Sequence, residues 1–134
     1  MPDTALRLRF DELLSRLIDD LPQPLRERLE EVPVIVEDEP PAELMRHLGL
    51  DRRRVELCGL HSGIPLTRRS VEHSGQLPDR INLFRGPIMR MVHRRAGGRA
   101  TIDDLEQQIR ITLLHEIGHH FGLDEDDLRR LGYG

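Results

Sequence analysis

The sequence has no lysine and no tryptophan, and it has few aromatic side chains, with three Phe and one Tyr among 134 residues. All twenty basic residues are arginine. With hydrophobic residues at 37% and aromatics at 3%, the interior has to be built mainly from Leu, Ile, Val and Met. The composition is that of a globular chain with an aliphatic core.

The sequence also has no excess of positive charge, because its formal net charge is -4. Arginines do cluster at 52–54, 68–69 and 94–95. A nucleic-acid-binding domain usually carries a basic excess. We therefore expect these arginines to be solvated or paired with acids, and we predict no nucleic-acid partner.

Cysteine and long apolar runs are scarce as well. Cys58 is the single cysteine, which excludes an internal disulfide and favours a reducing compartment. The N-terminus has no apolar run of signal-peptide length, and eighteen uncharged apolar residues never occur together. The sequence predicts a cytoplasmic protein that is neither exported nor inserted in a membrane.

The length and the local patterns predict one α+β domain spanning residues 1–134, without repeats or a dividing linker. We predict helices from the helical spacing of apolar residues or from Gly and Pro residues that mark helix ends. They lie at Thr4–Leu21, Pro24–Glu31, Ala42–His47 and Gly86–Arg95. Runs rich in β-branched and apolar residues predict strands at Val32–Asp38, Arg54–Leu60, Ile64–Val71 and Arg80–Phe84, the third of them an edge strand.

The last helix has the strongest pattern. Thr101 and Asp104 form an N-cap signature. Gly122 stands where a helix end uses a left-handed residue. The apolar stripe between them consists of Ile102, Leu105, Ile109, Leu113, Ile117 and Phe121. The pattern predicts a helix that docks its apolar face on the sheet.

This helix carries the stretch HEIGHHFGLDEDD, from His115 to Asp127. His115 and His119 are one turn apart, so both imidazoles can reach one ion, and zinc accepts neutral imidazole nitrogen. Glu116 is rotated by about 100° from His115, which places it beside a metal-bound water rather than among the ligands. We predict that Glu116 is a general base.

A catalytic zinc site needs a third protein ligand, and the chain must turn back to supply it. Gly122 permits that turn, and the acids that follow are Asp124, Glu125 and Asp126. Glu125 falls in the register H-E-x-x-H-x-x-G-x-x-E and is the predicted third ligand, with Asp124 and Asp126 as rivals.

The remaining histidines are weaker candidates. His120 points about 100° away from His119, so we expect it to form hydrogen bonds rather than to ligate the same ion. His61, His73 and His93 are reserve ligands, more typical of loop or surface positions.

These motifs resemble a known family. H-E-x-x-H-x-x-G followed by an acid, together with VIVEDEPP, GIPLTRRSV and LPDRINLFRGPI, looks like the small single-domain zincin-like metallopeptidases of bacteria, also called minimal zincins. The resemblance covers the chain from about Leu21 onwards. It implies a mixed sheet with the active-site helix behind it, an edge strand bordering the cleft, His115 and His119 as zinc ligands, and Glu116 as base.

The resemblance also sets the expected chemistry, which is zinc-dependent hydrolysis of a peptide that pairs with the edge strand at Ile64–Val71. No residues after Tyr133 correspond to the downstream subdomain of larger metzincins, so one wall of the cleft is expected to be missing or supplied by a partner. The group that stabilises the oxyanion is not identifiable, and Tyr133 is more typical of a frayed terminus.

Two other functions remain open. The domain could be a regulatory or interaction module that binds metal without turnover, as a truncated cleft would favour. A metal-dependent ribonuclease with the same ligand spacing is the third alternative, but Glu116 and the negative net charge count against it.

Overall fold

The computed structural model describes residues 4–62 and 79–130, with every side chain in these ranges except those of Arg28, Glu125 and Leu128. The predicted edge strand at Ile64–Val71, His73 and Tyr133 lie outside the described residues.

Six helices and three strands make up the described part. In chain order they are α1 (Thr4–Asp19), α2 (Gln23–Leu29), β1 (Val34–Glu37), α3 (Ala42–His47), β2 (Gly59–Ser62), β3 (Arg80–Phe84), α4 (Arg85–Arg95), α5 (Ile102–Phe121) and α6 (Glu125–Arg130). Apart from the strand at Ile64–Val71, which lies outside the described residues, the predicted helices and strands recur within a few residues, with exceptions at β2 and α6. The α+β class is confirmed.

The three strands form a mixed sheet in the order β1-β3-β2. β1 runs parallel to β3, with Val34 opposite Ile81. β2 runs antiparallel to β3, with His61 also opposite Ile81. The central strand β3 is buried from Ile81 to Phe84, as expected for a strand covered on both faces.

The predicted strand at Arg54–Leu60 is wrong over most of its length. Residues 52–54 form a turn stabilised by Asp51. The Asp51 carboxylate accepts a hydrogen bond from the Arg53 N–H, and the Asp51 carbonyl accepts hydrogen bonds from the Arg54 and Val55 N–H groups. A short Asp side chain that satisfies nearby N–H groups offers the backbone an alternative to the strand ladder. The strand consequently starts at Gly59 and includes His61 and Ser62, for which the sequence pattern indicates a turn.

Helix α5 lies at the centre of the packing, where it contacts α1, α4 and β2. Its predicted stripe is buried from Leu105 to Ile117, whereas Ile102 in the first turn is 41% exposed. The buried core is aliphatic apart from Phe10 and Phe84, in line with the few aromatic residues of the composition. Among the described residues, its fully buried hydrophobic members are Phe10, Leu13, Ile81, Leu83, Phe84, Ile88, Ile109, Leu113 and Ile117.

Arginines and acids pair on the surface, as predicted for the clusters that are described. Arg94 donates to Glu56, and Arg90 bridges Glu56 and Glu39. Arg54 is largely solvated, with its side chain 85% exposed. No helix within residues 4–62 and 79–130 combines the length and the apolar character needed to cross a membrane.

Candidate metal centre

Helix α5 is fixed at both ends by its own sequence. The Thr101 side chain accepts a hydrogen bond from the Asp104 N–H, and the Asp104 carboxylate accepts one from the Thr101 N–H. At the other end Gly122 adopts a left-handed conformation with φ 70°, and the Leu123 N–H donates to the Gly118 carbonyl at 2.7 Å. Both predicted caps are confirmed, so the helix presents residues 115–119 at a defined rotation.

The two histidines of the motif lie side by side on the exposed face of α5. Their ring centroids are 4.3 Å apart. One ligand atom from each of His115, Glu116 and His119 lies within 4.8 Å of the other two. The i, i+4 spacing thus produces the juxtaposition expected from one helical turn.

Glu116 lies on the inner side of this pair. It is 5% exposed, and its Oε1 atom is 3.4 Å from His119 Nδ1. Burial raises the pKa of the Glu116 carboxyl, while the charge of His115 and a hydrogen bond from the His61 backbone N–H oppose that rise. A carboxyl whose pKa is raised by burial is suited to accepting and returning a proton.

Strand β2 approaches this part of α5 very closely, and Gly59 makes the approach feasible. A Cβ atom at Gly59 would stand 2.9 Å from Thr112 Cγ2 and 3.0 Å from Glu116 Cγ. The same atom would be 3.2 Å from the Asn82 carbonyl oxygen. The missing side chain therefore lets the strand pack against the helix beside the carboxylate.

A sixth helix, which the sequence patterns did not predict, follows the glycine turn. The Asp124 N–H donates to the Asp127 carboxylate at 3.0 Å, and the Asp127 N–H donates to the Asp124 carboxylate at 2.8 Å. This reciprocal pair caps α6. The D-E-D-D stretch is therefore a capping signal, whereas the sequence prediction treated it only as a source of candidate metal ligands.

Both acids that rival Glu125 as the third ligand form other contacts with residues of α6. Asp124 is the cap of α6, and Asp126 pairs with Arg129. Among the described side chains neither acid joins the His115, Glu116 and His119 group. Glu125 is the first residue of α6, but its side chain is outside the described part, so its role as a ligand stays a prediction.

Comparison with family models gives a match over residues 29–134, to the model described as zincin-like metallopeptidase. The matched region contains the whole sheet, α5 and the histidine motif. The chain belongs to this zincin-like metallopeptidase family. A search of curated proteins found no match.

Membership of the zincin-like metallopeptidases implies a bound metal, typically zinc, and indicates a hydrolase. The residues present fit that metal. Two exposed imidazoles with their rings in contact offer nitrogen donors to one point in space. The buried carboxylate beside them would balance part of a dication's charge, and imidazole nitrogen is a preferred donor for zinc.

The other histidines of this zincin-like chain are distributed differently from the motif pair. His120 is 5% exposed, and its Nδ1 lies 3.4 Å from His61 Nε2. His93 is exposed in the last turn of α4. Among the described residues it is not close enough to two other potential ligands to share a metal ion with them. Asp79 faces His61, a neighbour that the sequence pattern gave no reason to suspect.

Proposed function

We propose that this chain is a zinc-dependent peptidase in which Glu116 moves the proton during hydrolysis. The observation that carries the proposal is the pairing of one buried carboxylate with two exposed imidazoles on consecutive turns of α5. Exposed imidazoles are accessible to both a metal ion and a substrate. A buried carboxylate beside them is protected from competing partners.

In the proposed site His115 and His119 hold the metal, and Glu125 supplies the third ligand. When bound, zinc provides Lewis acidity, which acidifies a water molecule and polarises a substrate carbonyl. Glu125, the first residue of α6, is supported over Asp124 because the Asp124 carboxylate accepts the capping hydrogen bond from the Asp127 N–H.

The chain's own contribution is the handling of the proton. Glu116 Oε1 or Oε2 accepts a proton from the attacking water and then donates it to the leaving amine nitrogen. The hydrogen bond from the His61 N–H orients the carboxylate, and burial keeps its pKa raised, so protonated Glu116 is less acidic than an exposed glutamic acid. Because the carboxylate lies within 3.4 Å of His119, its proton is exchanged next to the metal ligands.

We also propose that the substrate is an extended peptide whose backbone pairs with a strand edge near α5. β2 is an edge strand of the described sheet. One of its edges pairs with β3 through Gly59–Ser62. The predicted edge strand at Ile64–Val71, the contribution of a partner to the cleft, and a cytoplasmic location remain predictions.

The test combines metal analysis with an activity screen. Purified protein is loaded with zinc, its metal content is measured by mass spectrometry, and it is incubated with a peptide library beside an RNA control. We expect bound zinc and cleavage of peptides alone. Metal with no cleavage of either substrate would instead indicate a binding module, and RNA cleavage would indicate a ribonuclease.

The residue-level test is Glu116→Gln, with Glu106→Gln on the same helix as the matched control. Glu106 lies ten residues earlier, about 15 Å along the helix axis. We expect E116Q to keep its zinc and to lose peptide hydrolysis by at least about 100-fold, the scale typical of general acid–base residues, while E106Q keeps both. Undiminished turnover in E116Q would refute the assigned role.

A further inference from the structure

A second group of potential ligands lies on the buried side of α5, apart from the motif pair. It consists of His61 in β2, Asp79 immediately before β3, and His120 in α5. One ligand atom from each lies within 4.8 Å of the other two, and the group shares no residue with His115, Glu116 and His119.

The potential ligand atoms of the three side chains are grouped around one nitrogen, His61 Nε2. His61 Nε2 lies 3.4 Å from His120 Nδ1 and 3.8 Å from Asp79 Oδ1. An imidazole nitrogen carries either one hydrogen or one lone pair, so a linear relay would use a different nitrogen for each partner. Here the same nitrogen faces both partners, as happens when donor atoms surround a common centre.

The separation of the two nitrogens agrees with a tetrahedral ion, and the Asp79 carboxylate would have to approach His61 Nε2 slightly to complete the site. Ligand atoms at about 2.0–2.1 Å from zinc lie about 3.3–3.4 Å apart at the tetrahedral angle, whereas adjacent octahedral ligands at that bond length lie about 2.8–3.0 Å apart. The nitrogen–nitrogen distance of 3.4 Å matches the first arrangement. It is long for a hydrogen bond from a ring N–H, since such bonds cluster at about 2.9–3.0 Å.

The environment differs from that of the motif pair. The His61 side chain is 4% exposed, and that of Asp79 is 13% exposed. His120 is 5% exposed, whereas the side chain of His119 is 52% exposed. Adjacent helix positions are rotated by about 100°, which directs His120 inward while His119 faces solvent. An ion here would be enclosed by protein, like a structural metal.

We propose that His61, Asp79 and His120 form a second binding site for a divalent transition metal, with zinc as the best-fitting ion. The donor set of two imidazoles and one carboxylate is one that zinc accepts. The ion would join β2, the start of β3 and α5 at one point. It would also fix His61, whose backbone N–H bonds to Glu116, and so it would be structural rather than catalytic.

The experiment isolates this site by removing the other one. The double variant H115A/H119A is stripped with chelator, and zinc binding is measured by chelator competition together with metal content per chain. We expect two zinc ions in the unmodified protein and one in the double variant. Adding Asp79→Asn to the double variant should weaken the remaining affinity by at least about tenfold, while Asp20→Asn at an exposed position should not.

A second measurement avoids any change to the buried residues. Cobalt added to the folded H115A/H119A protein should give the intense visible absorption of a tetrahedral site. A folded double variant that binds neither metal would overturn the proposal, as would equal affinity in the D79N and D20N versions. If the unmodified protein binds one zinc that survives the double substitution, the second site stands and the proposed catalytic site fails.

Discussion

Gly59→Ala is the sharpest perturbation of the contact that positions Glu116. The added methyl would meet Thr112 Cγ2 at 2.9 Å, Glu116 Cγ at 3.0 Å and the Asn82 carbonyl oxygen at 3.2 Å. The carbonyl oxygen belongs to the backbone of the central strand, and Thr112 Cγ2 is a buried methyl group. Neither can move away without displacing β3 or α5.

The expected loss of stability follows from two opposing effects. Overpacking of this kind costs about 1–3 kcal/mol. Replacing Gly by Ala recovers about 0.4–1 kcal/mol by lowering the entropy of the unfolded chain. Because the clash outweighs the entropy gain, we expect the metal-free G59A protein to be less stable by about 1–2 kcal/mol, measured by urea unfolding.

Thr112→Ser provides the internal control, because it removes the nearest clashing atom and keeps the hydroxyl that donates to the Gln108 carbonyl. On its own it should cost about 1 kcal/mol for the lost buried methyl. In the double variant the alanine methyl fills that space, so the two costs should fall short of additivity by about 0.5–1 kcal/mol. Strict additivity, or a G59A protein as stable as the original, would refute the argument.

The same substitution should affect catalysis, because it pushes on the Glu116 side chain. A displacement of about 1 Å at a catalytic group can cost about 100-fold in rate. If Glu116 is the proposed base, we expect G59A to lose peptide hydrolysis by at least about tenfold while retaining zinc, because the proposed ligands His115 and His119 lie on the exposed face of α5. Unchanged kcat in a destabilised G59A protein would show that β2 does not position the base.

Three further predictions concern single side chains. Burial raises the pKa of the Glu116 carboxyl above its ordinary 4.5, so the metal-free protein should lose stability as pH rises from 4.5 through the raised pKa. Glu116→Gln should therefore be the more stable protein at pH 7 and should lose this advantage below pH 4.5, as measured by thermal unfolding. Burial and, to a smaller extent, the charge of Glu56 raise the pKa of the Cys58 thiol from 9.0 to about 11. Alkylation at pH 8 should therefore be about 100-fold slower in the folded than in the unfolded chain. Equal rates would contradict the burial of this thiol. Thr101→Ala removes the hydroxyl that accepts the hydrogen bond from the Asp104 N–H, and it should destabilise the protein by about 1 kcal/mol in urea unfolding. An unchanged unfolding midpoint would mean that this cap does not stabilise α5.

Local signals in the sequence account for the most successful predictions. The bounds of α5, its capping box and its glycine end follow from residues within a few positions of each other. The spacing of His115 and His119 has the same origin, because a helical turn is a local structure. These features needed no knowledge of the rest of the fold.

Predictions that depended on competition between local alternatives were less successful. At Asp51 a side-chain-supported turn replaces the start of the predicted strand, and at Asp124 a capping box begins a helix where the sequence analysis named only candidate metal ligands. In both places a short acidic side chain bonds to backbone N–H groups nearby. Composition and periodicity do not show which partner such a side chain takes.

By itself the sequence determined one long capped helix with a histidine pair and a glutamate on it, since all of that lies within one stretch of backbone. Only the tertiary structure decided that Glu116 is buried against Gly59, and that His61 and Asp79 meet His120, because these residues come together through strand pairing and packing across about 20 to 60 positions of chain. Contacts of that range depend on how strands and helices pack, which no local pattern specifies.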